Sequence, residues 1–203
     1  MTRETEEPLV AGLLLAAGGG RRLGGRPKAL LSHRGSPLVE HAVGVLREGG
    51  CEVVHVVLGA AAGRVRAEAR LPGCVLVDNT DWAEGMGSSL RAGLASLRAQ
   101  ALPVDAALVS LVDQPGIGGE AVARVRRAYG SQGSLAAASY GGRRGHPVLL
   151  GADHWAGVAA DAVGDQGARE YLEAHRDAIT LVDCSDVAEP YDIDTEADLV
   201  HLE

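Results

Sequence analysis

A chain of 203 residues with 46% hydrophobic side chains is long enough to bury a sizeable core as one domain. Its net charge of −8, without a basic run beyond short arginine pairs, argues against nucleic acid as a partner. No stretch approaches the length of a membrane span, which argues against a membrane protein.

Aromatic residues make up only 3% and phenylalanine is absent, so the core must rest on Leu, Val and Ala. The three cysteines, Cys51, Cys74 and Cys184, have neither zinc spacing nor a CxxC pair. The acidic start of the chain lacks an apolar signal core. Reduced thiols and a cytoplasmic location are the expectation.

Residues 1–7 read as a disordered lead. The apolar run Leu9 to Leu15 is too short for an ordinary helix and predicts a buried strand. It stops at Ala16-Ala17, and Gly18-Gly19-Gly20 follow. Arg21, Arg22, Gly24, Gly25, Arg26 and Pro27-Lys28 come next. Glycines let the main chain approach a ligand closely, and successive free N–H groups form a concavity for anions. The stretch therefore predicts a strand followed by a phosphate-binding loop.

Lys28 is the only lysine in the chain; every other basic residue is an arginine. Lysine meets phosphate as a compact point charge on a flexible stem, where arginine is a planar fork. Two common glycine loops do not fit. A Walker A loop needs Gly-Lys-Ser/Thr, and Lys28 stands between Pro27 and Ala29. A dinucleotide loop needs a third glycine where Leu23 stands.

Downstream, Ser36-Pro37 opens a helix through about Glu48, ended by Gly49-Gly50. Val53 to Leu58 is a second strand, Ala60 to Arg70 a helix, and Val75 to Val77 a third strand ending at Asp78-Asn79. Ser88 to Arg98 is a helix. Ala106 to Val112 is a fourth strand ending at Asp113, and Glu120 to Tyr129 is another helix. This alternation predicts a mostly parallel α/β sheet with helices on both faces. Ligands of such sheets bind outside the carboxyl ends of the strands. The glycine loop, Asp78 and Asp113 all fall there.

After Tyr129 the pattern changes. Leu135 to Tyr140 and Pro147 to Leu150, around a Gly/Arg-rich turn, predict a small β excursion. Helices at about 151–160 and 166–176 follow, then a strand at Ile179 to Val182 and a short helix from Thr195 to Leu202. One domain over 1–203 results, with a first half of about 8–115 and a second of about 116–203.

Asp113 follows an apolar strand and precedes Gln114-Pro115. A metal carboxylate and a turn cap both suit that place. Asp192 and Asp194 point to one side if their segment is extended; either could serve a metal or cap the last helix, with Thr195 a competing cap. Ser88 and Ser89 begin a helix and suit capping as well as ligand contact.

Taken together, Leu15-Ala16-Ala17-Gly18 through Pro27-Lys28, Trp82 to Leu90, Asp113-Gln114-Pro115, Arg144 to Val148, Gly164 to Arg169 and Asp192 to Thr195 resemble the MobA-like NTP transferase family. The resemblance is closest to its molybdenum cofactor cytidylyltransferase branch and spans nearly the whole chain. Gly24-Gly25-Arg26-Pro27 carries one residue more than the usual spacing.

The resemblance implies a single-domain, Rossmann-like nucleotidyltransferase using Mg2+. It implies Arg22 and Lys28 on the triphosphate, with Asp113 and Asp194 on the metal. Nucleotide contacts fall to Leu15, Ala16, Ala17, Gly18, Gly19, Gly20, Asp78, Asn79, Gly85, Ser88 and Ser89. Acceptor contacts fall to Arg144, Gly145, His146, Pro147, Asp165 and Arg169. Ala rather than Gly as the second residue of the Ala-Ala-Gly step implies CTP. The implied acceptor is a phosphorylated pterin, and a molybdenum enzyme or its maturation factor is a further partner. Alternatives are GTP or another phosphorylated acceptor, a flavin- or nicotinamide-dependent oxidoreductase, and a non-catalytic carrier of the molybdenum cofactor. The missing glycine at Leu23 argues against the oxidoreductase.

Overall fold

The computed structural model describes residues 7–202; except for Glu7, the lead expected over 1–7 lies outside them. A seven-stranded sheet forms the centre. In chain order its strands are β1 (Val10–Ala16), β2 (Val54–Leu58), β3 (Val75–Asp78), β4 (Ala106–Leu111), β5 (Leu135–Tyr140), β6 (Arg143–Gly151) and β7 (Ile179–Asp183). Across the sheet the order is β3-β2-β1-β4-β6-β5-β7. All neighbours run parallel except around β6, which is antiparallel to both β4 and β5.

The β pair expected after Tyr129 thus forms and extends the central sheet. Gly141 and Gly142 make its turn at positive φ. Val109 of β4 pairs with Val148 of β6, a contact across the chain that periodicity does not encode.

Helices α1 (Leu38–Glu48), α2 (Ala62–Glu68), α3 (Met86–Arg98), α4 (Gly119–Arg127), α5 (Trp155–Asp161) and α6 (Arg169–Ala174) cover the two faces. Side-chain alternation along β1 divides the core. Leu14 faces α1 and α4, with Leu46 and Val122. Leu13 and Leu15 face α3 and α5, with Leu90, Leu94 and Trp155. Each such burial contributes about 1.5–3 kcal/mol, which is how an Ala- and Leu-rich chain holds a two-sided core.

Two local details differ from the sequence reading. Pro37 caps α1 from the strand of a two-residue ladder, Ser32–His33 with Ser36–Pro37, so the helix begins at Leu38. The closing helix is a 3₁₀ segment, Glu196–Leu202. Among the described residues, no helix is long and apolar enough to cross a membrane.

Candidate functional site

The carboxyl ends of β1 and β4 open onto a cleft of about 660 Å³. The glycine loop forms one wall. Gly20 stands at φ 63°, and a Cβ there would lie 1.8 Å from the Arg26 carbonyl oxygen. The Gly20 carbonyl accepts from the N–H groups of Leu23 (2.9 Å) and Gly25 (3.0 Å), folding the loop on itself. Leu23, fully buried, anchors it to the core. Gly24 and Gly25, in the stretch with the additional residue, both stand at positive φ.

Lys28 is the hub. Its Nζ donates to Asp113 Oδ2 and to Asp194 Oδ1, each at 2.6 Å. Burial opposes its charge, but Asp113 and then Asp194 outweigh that and hold the ammonium above its ordinary pKa. The Lys28 hydrogen bond, acting against burial, keeps the Asp194 carboxyl below its usual range, and Arg22 adds to this. Arg22 Nη1 donates to Asp194 Oδ2 at 3.0 Å, while its side chain stays 72% exposed and open to a ligand. Asp192 accepts from Gln114 Nε2 at 2.8 Å; burial above all pushes its pKa up, with Asp113 and Asp194 contributing.

Asp113 and Asp194 therefore converge on one point held by a cation. Their oxygens suit a hard divalent metal, which usually takes one or two carboxylates and completes its shell with water and phosphate oxygens. No group of three or more His, Cys, Asp or Glu among the described residues could hold a metal by protein ligands alone. A metal here would need the oxygens of its substrate.

Most of the expected nucleotide residues meet here: Leu15, Ala17, Gly18, Gly19, Gly20, Gly85 and Ser89 line the cleft with Arg22 and Lys28. Ala16 is buried in β1 and does not line it. Asn79 and Ser88 are buried behind the wall. Asn79 Nδ2 donates to Ser88 Oγ (2.8 Å) and Ser89 Oγ (3.0 Å), bracing the start of α3. Asp78 stands apart from these. It ends β3 as the strand-end rule requires, but Arg66 grips both its oxygens at 2.8 and 3.1 Å and holds them outside the cleft.

The expected acceptor residues separate. Asp165 lies in the cleft itself, so close to Gly85 that a Cβ on that glycine would stand 2.5 Å from its Oδ1. Arg144, Gly145, His146 and Pro147 lie on β6, and Arg169 begins α6; none lines the cleft. Desolvation presses the His146 imidazole down to about 4, with the nearby Asp113 charge opposing it. So weak a base is poorly matched to abstracting a proton near neutral pH.

Met86, which the sequence places beside Gly85 on a loop considered for the base, lines the cleft, and so does Trp82, to which sequence reasoning gave no role. Trp82 packs over Gly19, within 3.5 Å of where its Cβ would be. The signal was its place at the head of the Trp82 to Leu90 stretch.

A Rossmann-like sheet whose first, glycine-rich loop sets Arg22 and Lys28 against a carboxylate pair defines a nucleotide-handling α/β protein. Residues 12–179 match the model of the MobA-like NTP transferase domain, and the chain belongs to that family of nucleotidyltransferases. It is 41% identical over 206 residues to nicotine blue oxidoreductase of Paenarthrobacter nicotinovorans, covering 98% of each chain. A shorter match, 50% identical over 50 residues, covers 25% of this chain and 26% of the molybdenum cofactor guanylyltransferase of Pseudomonas entomophila. In shape it is similar to Rv0371c of Mycobacterium tuberculosis, with a TM-score of 0.81 at 27% identity over 96% and 97% of the two chains. The manganese complex of Rv0371c also matches, with a TM-score of 0.75 at 26% identity over the same shares.

Proposed function

We propose that this protein is a Mg2+-dependent cytidylyltransferase that moves CMP from CTP to molybdenum-molybdopterin and releases pyrophosphate. The observation that carries the reading is the convergence of Lys28, Asp113 and Asp194 at the mouth of the glycine loop. Nucleotidyl transfer needs an α-phosphate held in line with its acceptor and a leaving pyrophosphate whose charge is neutralised. Main-chain N–H groups of Gly18 to Gly20 would hold phosphate oxygens, and Arg22 and Lys28 would meet the growing negative charge. Asp113 and Asp194 would hold the metal, which neutralises phosphate charge when bound. The attacking oxygen of a phosphate monoester is already anionic, so no general base is required and a neutral His146 fits.

Trp82 and Met86, which line the cleft, would offer an apolar surface for the base, and Asp165 would meet the acceptor. Arg144 and Arg169 would receive the pterin phosphate. On this reading residues 1–203 are one domain working in the cytoplasm, with halves near 8–115 and 116–203. A molybdenum enzyme or its maturation factor would receive the product.

A second reading, an oxidoreductase using a nicotinamide cofactor, is favoured by the full-length relative named nicotine blue oxidoreductase. Against it stand Leu23 in place of the third dinucleotide glycine and a carboxylate pair that hydride transfer does not need.

Thermal stability with and without Mg2+, in the presence of CTP, GTP, ATP, UTP or NADPH, separates the readings. A ligand at about 100 times its dissociation constant adds roughly 2.7 kcal/mol. That is on the order of 5–10 °C for a chain of this size. A Mg2+-dependent rise with CTP is expected. A rise with GTP would replace the base, and one with NADPH alone would replace the chemistry.

A further inference from the structure

Asn79 follows β3, and its N–H donates to the Leu58 carbonyl at 2.8 Å, which fixes it to the end of β2. Ser88 and Ser89 stand in the first turn of α3. Asn79 is 6% exposed and each serine 4%, so their polar atoms must find partners in the protein or in a ligand.

The contacts among them account for every side-chain hydrogen but one. Asn79 Oδ1 accepts from the Asp81 N–H at 3.0 Å, and a main-chain N–H can only donate. The amide nitrogen therefore faces the two serines, with one hydrogen for Ser88 Oγ at 2.8 Å and one for Ser89 Oγ at 3.0 Å. Ser88 Oγ lies near two main-chain acceptors, the Asp81 carbonyl at 2.9 Å and the Gly85 carbonyl at 2.8 Å, and its hydrogen goes to one of them. Ser89 has no such outlet. It accepts from Asn79, and its own hydrogen meets no acceptor among the described residues. Of the three, only Ser89 lines the cleft that holds Lys28. With one side of the hydroxyl held by an amide, the cleft is the direction left for its hydrogen.

We propose that Asn79 is a positioning residue that makes Ser89 a hydrogen-bond donor to the nucleobase. This deepens the nucleotide reading above and rests on it. Ser89 stands one turn of α3 beyond Met86, and both line the cleft with Trp82. A base lying against that apolar surface turns its edge to the hydroxyl. Because the hydrogen points into the cleft, Ser89 matches an acceptor on that edge, such as O2 or N3 of cytosine, and leaves an N–H unmatched. The direction of one hydroxyl thus reads the base, and a residue behind the wall sets that direction.

Asn79→Asp tests the direction while keeping the shape. The aspartate retains an oxygen for the Asp81 N–H and presents a second oxygen, an acceptor, to Ser89. The Ser89 hydrogen then turns from the cleft to the carboxylate. Calorimetry with Mg2+ gives the affinities for CTP and for inorganic triphosphate in the wild type, Asn79→Asp, Ser89→Ala and the double variant. Triphosphate can meet the glycine loop but carries no base. Each single variant should weaken CTP about tenfold, the scale of one hydrogen bond, and leave triphosphate within about twofold. The double variant should bind CTP no more weakly than Ser89→Ala, because both residues act through one hydrogen. Additive losses, or an equal loss for triphosphate, are what a mere brace of α3 gives, and either overturns the proposal. So does an unchanged CTP affinity in Ser89→Ala, which serves alone if Asn79→Asp does not fold. A wild type that binds triphosphate and not CTP overturns this inference together with the choice of base; one that binds neither overturns the nucleotide reading beneath it.

Discussion

Replacing Lys28 by Met keeps the stem and removes the charge that two carboxylates share. Breaking a buried ion pair costs about 3–5 kcal/mol, and an exposed pair contributes about 0–1. Lys28 and Asp113 are 17% and 20% exposed at the side chain, but Asp194 is 37%, so solvent screens part of the loss. We expect about 2 kcal/mol, or a Tm lower by roughly 4–8 °C in metal-free buffer. Magnesium should then return most of that loss, because Asp113 and Asp194 face each other without a counter-charge. In the wild type the ammonium competes for the same oxygens, so the metal should add less. Calorimetry on both proteins, with and without Mg2+, reads the difference. Equal stability without metal, or an equal gain from metal, would refute the reasoning that Lys28 holds the metal position open. Turnover of the variant should fall by about 10²–10³, the usual cost of losing a charge-stabilising group in the transition state.

Gly20→Ala places a methyl 1.8 Å from the Arg26 carbonyl oxygen in a left-handed backbone. It should cost about 2 kcal/mol or more and abolish the CTP-dependent rise in Tm. Intrinsic fluorescence should be quenched on nucleotide binding, because Trp82 lines the cleft whereas Trp155 is 2% exposed in the core; Trp82→Leu should remove the change. Burial lowers the pKa of His55, whose Nδ1 meets Ser96 Oγ at 2.9 Å and whose Nε2 has no partner. The unfolded chain takes up this proton first, so its contribution is full above about pH 6.5 and is lost as pH falls through the folded value. His55→Gln should flatten the acid limb of Tm against pH, and an unchanged limb would count against it.

The strands were readable because parallel strands buried on both faces are continuous apolar runs, as in Leu9 to Leu15 and Val53 to Leu58. Their order was not, because β6 joins β4 through pairings such as Val109 with Val148, which local pattern does not record. The glycine loop and its lysine stood out by composition. That Lys28 would bridge Asp113 and Asp194, 85 and 166 residues away, did not, because tertiary packing alone brings those carboxylates together. Asp78 shows the limit of the strand-end rule: it locates the backbone, while one arginine from α2 decides where the carboxylate goes. Trp82 was legible only as the head of the Trp82 to Leu90 stretch, because its place on the cleft wall depends on tertiary packing against Gly19.

The bridge from Lys28 to Asp194 joins the opening loop to the last ten residues of the described chain. During synthesis the sheet strands through β4 emerge long before Asp194 does. A nascent chain can thus fold its glycine loop while its ammonium has only Asp113 to hold. A carboxylate made late thus completes the charge balance of a loop made early, so the site's electrostatics depend on β1 and the segment around Asp194 being packed together.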